Sequence, residues 1–336
     1  DPAGPAQRPP AFANRLMTEL TTDNPDIQAL QPRLSNSDSG VRRIALIDLA
    51  DLEDPDGLPW LIHALGQDNA AEVRSEAARL LEGWEDDEVV AALCAALADA
   101  DDNVRAAAAQ SLSELKTAEA GRVILPWAAH ADAFVRASAL RALRELRLAD
   151  SAPVAVLALD DADAFVRREA VGILGWLKQH SALPQLARLA SDDQDAEVRR
   201  AATGALGLAR DASVIPALQA ALQDPAWQVR EEAATTLGKV GLAAGGPSLL
   251  AALEDDYWQV RLRAARALGK LRYAGALNAL IQVLGHAISN LRKEAALALG
   301  ELADPAALPA LQAAEHDGDP EVRKAVRIAI SQLQGA

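Results

Sequence analysis

A Val-Arg dipeptide recurs through this chain at an almost constant interval. It stands at Arg42, Arg74, Arg105, Arg136, Arg167, Arg199, Arg230 and Arg261, returns as Leu-Arg at Arg292, and closes as Val-Arg at Arg323. The spacing is 31 residues, with two steps of 32. A period of that size means an array of supersecondary units rather than one compact core. One internal copy keeps even its tryptophan: "DPAWQVREEAATTLGKVG" from Asp224 is followed by "DDYWQVRLRAARALGKLR" from Asp255. Ten such units occupy the chain from about Pro25 to Leu333.

Each unit reads as two helices. The second, helix B, contains the Val-Arg pair. In the seventh unit Val229, Ala233, Leu237 and Val240 fall at steps of four, four and three, a single helical stripe. Aromatics make up only 3% of a chain that is half hydrophobic, so Ala and Leu supply the apolar surface and favour helices over strands. Gly175, Gly207, Gly238, Gly269 and Gly300 recur within helix B, where each costs about 1 kcal/mol of helix propensity; close packing of neighbouring helices is the expected compensation. Asp101, Asp132, Asp163, Asp195 and Asp319 lie four residues before the Arg and read as N-caps. In helix A an early proline recurs at Pro59, Pro153, Pro184, Pro216, Pro247 and Pro309, where a first turn tolerates it. Pro126, late in "VILPWAAH", predicts a kinked or shortened helix. A hairpin of this kind cannot bury its stripe alone, so the units must stack. The expected fold is all-α, an α-solenoid of about ten two-helix repeats over residues 23–336, behind a disordered Pro-rich lead-in at 1–22.

The pattern D-x-x-V-R-x-x-A-x-x-x-L-G-x-L, as in "DAFVRREAVGILGWL" and "DAEVRRAATGALGLA", resembles the HEAT-repeat family. In particular it is similar to the short HEAT-like repeats of phycobilisome bilin lyases. The resemblance implies that helices B form a concave wall, and that such proteins serve as binding scaffolds or, in the lyases, handle a tetrapyrrole on a client protein.

Other function classes find little support. The net charge is −15, and residues 1–120 hold 23 acids against 9 bases while the remainder holds 25 against 24. Nucleic-acid binding needs a basic footprint, which only the cluster Arg261, Arg263, Arg266, Lys270 and Arg272 suggests. The single cysteine, Cys94 in "VVAALCAALAD", reads as core. His63, His130, His180, His286 and His316 do not recur in register, and none is followed by Glu, unlike the His-Glu pairs with which the HEAT-like deoxyhypusine hydroxylase holds two irons. The Asp-rich loops at 99–102, 160–163, 192–195 and 316–319 lack the Gly and Glu of a calcium loop and read as solvated caps. No nucleophile elbow, phosphate loop, zinc or dinucleotide signature occurs, so no catalytic, metal or cofactor site is expected. No apolar run is long enough to span a membrane. A cytoplasmic chain, monomeric on its own, is the expectation; because it begins at Asp1 rather than Met, a processed or trimmed product with a removed N-terminal signal is the other reading.

The recurring arginines, present in every unit, read as structural partners of Asp in their own or the adjacent loop. Candidates for function are the residues that do not recur but occupy wall positions of helix B. These are Phe134 and Arg141 in the fourth unit; Phe165, Arg168, Glu169 and Trp176 in the fifth; Glu197 and Arg200 in the sixth. The seventh contributes Trp227, Gln228, Glu231, Glu232 and Lys239, and the eighth Trp258, Gln259, Arg263, Arg266 and Lys270. Five of the chain's eleven aromatic residues fall on these positions, beside arginines, which is the composition of protein-binding hot spots. Trp60, Trp84 and Trp127 read instead as core or outer packing. The function expected is a non-catalytic adaptor or assembly factor that grips another protein, an acidic and apolar segment suiting the middle units, with tetrapyrrole handling on a client as the alternative.

Overall fold

A computed structural model describes residues 20–335, and all regular structure among them is helical. Residues 1–19 of the expected lead-in lie outside the described residues. The helices group into two compact units, one ending at Leu177 and the next beginning at Lys178. The first holds α1 (Pro25–Leu34), α2 (Ser39–Asp51), α3 (Leu58–Gln67), α4 (Ala71–Leu80), α5 (Asp87–Ala96), α6 (Asp102–Ser113), α7 (Ala118–Ile124), α8 (Ala133–Leu146), α9 (Ser151–Ala158) and α10 (Ala164–Trp176). The second holds α11 (Leu183–Asp192), α12 (Ala196–Ala205), α13 (Ile215–Ala221), α14 (Trp227–Val240), α15 (Gly246–Ala252), α16 (Trp258–Leu271), α17 (Leu277–Val283), α18 (Ser289–Leu302), α19 (Leu308–Ala313) and α20 (Pro320–Gln334). Each Val-Arg lies on an even-numbered helix. In the first unit α2 packs on α4, α4 on α6, α6 on α8 and α8 on α10; in the second α12, α14, α16, α18 and α20 follow in the same way. The fold is an all-α solenoid of helical hairpins.

The stripe read from the seventh repeat is its core: Val229, Ala233 and Leu237 are fully buried and Val240 nearly so. Gly238, Gly269 and Gly300 sit where helices B meet, while Gly207 touches Thr236 of α14 from a 3₁₀ turn, Leu206–Leu208, that follows α12. A Cβ on Gly238 would lie 3.1 Å from the Ala267 Cβ, and one on Gly269 would lie 2.8 Å from the Ala298 Cα. Asp38, Asp101, Asp132, Asp163, Asp195 and Asp319 accept backbone N–H groups of the first turn, as caps do. Three consecutive helices of the second unit depart: α14, α16 and α18 begin behind Ala226, Tyr257 and Ile288 and have no side-chain cap. The early prolines all sit in first turns, Pro153 one residue deeper than the others as the third residue of α9. At Pro126 the expected shortening occurs: α7 stops at Ile124 and a 3₁₀ segment, Leu125–Ala129, completes the passage. Cys94 and Trp60 are core residues. Burial alone pushes the Cys94 thiol pKa far up. No helix of the described residues is long and apolar enough to cross a membrane.

The recurring arginines pair forward, with the loop of the next repeat. Arg42 grips Asp68, Arg74 Asp99, Arg136 Asp161, Arg199 Asp224, Arg230 Asp255 and Arg292 Asp317, each through Nε and Nη2 at 2.8–3.2 Å. The Nη1 of Arg136, Arg199, Arg230 and Arg292 donates to carbonyls of the loop before its own helix. One guanidinium thus staples two successive loops, and the same carboxylate also accepts an N–H two residues on. Two rungs differ. At residues 130 and 286 the acid is replaced by histidine, so two of the five histidines do share a register, contrary to the sequence reading. Both keep the turn bond, Nδ1 accepting from Asp132 N–H and Ile288 N–H at 2.9 and 3.0 Å. Neither supplies a carboxylate. The shared register is the position six residues before each Arg, His130 before Arg136 and His286 before Arg292.

Candidate functional site

The broken rung at His130 changes what surrounds Phe134. Arg105 has no carboxylate to grip at residue 130, and among the described residues its buried Nε has no acceptor. It keeps one bond, from Nη2 to the Asp132 carboxylate at 2.9 Å, and its guanidinium lies 4.6 Å from the centre of the Phe134 ring. The His130 ring meanwhile stacks on Trp127 at 5.9 Å. Phe134 begins the wall of α8 and remains 39% exposed; one repeat on, Phe165 of α10 is 67% exposed. Between these helices lies an open recess of about 350 Å³, lined by both rings, Ala133, Ala137, Ser138, Arg141, Asp163 and Glu169. Glu169 accepts from Arg144 Nη1 at 3.3 Å. Burial raises the pKa of its carboxyl above the ordinary value, against the opposing pull of Arg144, Arg168 and Arg141. At the far end of α10, Trp176 is 48% exposed and Arg147 covers it at 4.3 Å from the ring centre, a cation–π contact.

The second unit carries its own aromatic patch. Trp227, the first residue of α14, is half-buried and stacks on Tyr257, centroids 5.4 Å apart and planes within 14°. Arg230 lies 5.6 Å from the centre of the same tyrosine ring. Trp258, the first residue of α16, stays exposed, as does Tyr257. Along the wall, Arg266 pairs with Glu294, which is buried, and Arg200 with Glu197 of its own helix at 3.6 Å. Glu232 is half-buried and burial raises its carboxyl pKa, while Arg200 and Lys239 pull the other way. Lys270 faces a different hollow of about 370 Å³, shared with Arg272, Glu301 and Gln332 at the C-terminal ends of α16, α18 and α20.

A family model described as HEAT repeats matches residues 15–82, 58–144, 121–207, 189–256 and 246–331. The chain belongs to the HEAT-repeat family. Yeast importin-β, Kap95p, shares the fold at 14% identity over 96% of this chain and 52% of its own, with a TM-score of 0.64. An engineered protein matches at 23% identity over 92% of this chain and 99% of its own, with a TM-score of 0.52. The CpcE–CpcF complex of phycocyanin lyase from Nostoc sp. PCC7120 matches at 23% identity over 63% of this chain and 94% of its own, with a TM-score of 0.44. At these identities the likeness is one of fold. No curated protein matches the chain.

In this HEAT-repeat protein the candidate residues form more than one group. Phe134, Arg141, Phe165 and Glu169 meet at the recess of the first unit, with Arg168 exposed on α10 and Trp176 at its end. In the second unit Trp258, Arg200, Lys239 and Lys270 are exposed, while Gln228, Glu231, Gln259, Arg263 and Arg266 are half-covered. The Gln259 Oε1 is buried and has no donor among the described residues. Three contributors were not singled out from sequence. Tyr257 stands at the cap position that Asp usually holds, one residue before the assigned wall positions; the signal was its adjacency to Trp258. Arg144 and Arg147 fall near the end of α8, outside the positions assigned to the wall. Among the described residues no three His, Cys, Asp or Glu side chains converge as a metal site requires.

Proposed function

We propose that this HEAT-repeat protein is a non-catalytic scaffold, an adaptor or assembly factor that holds a partner protein against the walls of its even-numbered helices. The observation that carries this reading is the exposure of Phe165 and Phe134 beside a recess, with Trp176 exposed at the other end of α10. Each ring held in water forgoes about 1–2 kcal/mol of burial that a partner would recover. Aromatic rings flanked by arginines are the residues that dominate protein interfaces. HEAT-repeat folds are suited to this use: Kap95p has been seen with RanGDP and with Nup1.

The test is affinity capture with the wild type and with Phe165→Ser/Trp176→Ser, two exposed substitutions that spare the core. The partner is expected to be lost from the double variant. An unchanged set of bound proteins counts against the wall of the first unit as the binding surface. Visible-range absorbance in the purified wild-type protein, absent from the variant, would favour tetrapyrrole handling instead.

A further inference from the structure

The recess between α8 and α10 is more specific than an apolar surface. Its apolar part is Phe134, Phe165 and Ala137, and its charged part is Arg141, Asp163 and Glu169. Both carboxylates are already engaged. Asp163 caps α10 by accepting the Val166 N–H at 3.1 Å, and Glu169 is held by Arg144. The cations are not matched in the same way. With Arg144 on Glu169 and Arg147 over Trp176, Arg141 and Arg168 add their charge to that of Arg144 around the same Glu169, and among the described residues neither forms an ion pair of its own. A guanidinium beside an apolar recess is satisfied best by a carboxylate, which it can bind through two parallel N–H donors.

We infer that this recess takes a bulky apolar side chain from a partner segment that carries a carboxylate next to it, an acidic–apolar peptide. The inference rests on the binding-surface reading above and adds the chemistry of the occupant. A volume of about 350 Å³ lies at the small end of binding pockets and suits a large side chain rather than a folded surface. The protein's overall charge of −15 opposes an acidic partner at long range, but that excess lies in residues 1–120. Charges more than about 8 Å apart are largely screened at physiological salt, so local pairing at Arg141 and Arg168 decides. A basic segment, by contrast, would compete with Arg144 for Glu169 and with the helix cap for Asp163.

The test uses the full chain and three fluorescein-labelled peptides in anisotropy titrations. The first is Glu-Asp-Leu-Phe-Asp-Glu. The second has Lys at every acid, and the third has Ser in place of Leu-Phe. The first is expected to bind about tenfold or more tighter than either of the others. Arg141→Glu should weaken it by about tenfold and shift preference toward the Lys peptide, whereas Glu169→Gln should tighten it about twofold to fivefold. Phe134→Ser/Phe165→Ser should abolish binding of the first peptide, with an unchanged far-UV spectrum and melting curve showing that the fold is kept. The inference is overturned if the Lys peptide binds more tightly, or if Arg141→Glu leaves the acidic peptide unaffected. If none of the peptides binds while Phe165→Ser/Trp176→Ser still loses a captured protein, the assigned chemistry falls and the binding surface stands. If that capture is also unchanged, both fall.

Discussion

Replacing His286 with Asp should complete a broken rung and stabilise the second unit. At the next rung, Arg292 grips Asp317 at 2.9 and 3.0 Å, with the two side chains 18% and 11% exposed. At His286 the corresponding Arg261 has only Nη1 facing the ring Nε2, at 3.3 Å, and an Nε bond to the Asp255 carbonyl. The ring's Nδ1 already accepts the Ile288 N–H, and a neutral imidazole has one acceptor nitrogen, so both contacts cannot be satisfied together. An Asp there would accept the same N–H and two guanidinium donors. A hydrogen bond to a charged group is worth about 1.5–3 kcal/mol; subtracting about 1 kcal/mol for lost ring packing leaves a net gain of about 0.5–2 kcal/mol. For a unit of this size that is a rise of about 1–8 °C in Tm. Because repeat arrays melt piecewise, amide exchange of α17 and α18 should slow alongside the thermal shift. The Arg292 hydrogen bonds hold the Asp317 carboxyl below its usual pKa. The new Asp should behave likewise, so its contribution is fully present above the unfolded pKa near 3.9 and disappears as pH falls through the lower folded value. The reasoning is refuted if His286→Asp lowers the Tm at neutral pH, or if the gain survives in an Arg261→Gln background.

Three further outcomes follow from the packing. Ala226→Asp should give α14 the cap that Asp195 gives α12 and raise stability by about 0.5–1 kcal/mol in denaturant titration, with Ala226→Asn giving much of the same gain. Val229→Asp, at a fully buried position, should cost about 3–5 kcal/mol, whereas Trp227→Ala, which removes a half-buried ring stacked on Tyr257, should cost about 1–2; equal melting shifts would contradict the assigned helix faces. Gly269→Ala should destabilise rather than follow its better helix propensity, because the new Cβ meets the Ala298 backbone at 2.8 Å; a higher Tm would show that α16 and α18 can part easily.

How far the candidate site could be read depended on the range of the forces involved. Phe134 and Phe165 were legible because their position two residues before the Arg is set by helix geometry alone. Trp227 was less so. Whether its ring faces solvent depends on Tyr257, thirty residues on, which stands where other repeats have Asp and stacks against it. Arg147 was invisible as a partner of Trp176, since nothing in the spacing says which of several arginines will cover a ring one repeat away.

The sequence by itself determined the period, the pairing of helices, the buried stripe, the Asp caps and the glycine contacts. All of these follow from 3.6 residues per turn, local hydrogen bonding and the need of each hairpin to bury its face on another. Only the tertiary structure decided how each rung is satisfied. The same arginine is a bidentate staple at Asp317 and a ring-stacking cation above Phe134, because a single residue in the next loop, Asp or His, determines whether the guanidinium has a carboxylate to hold.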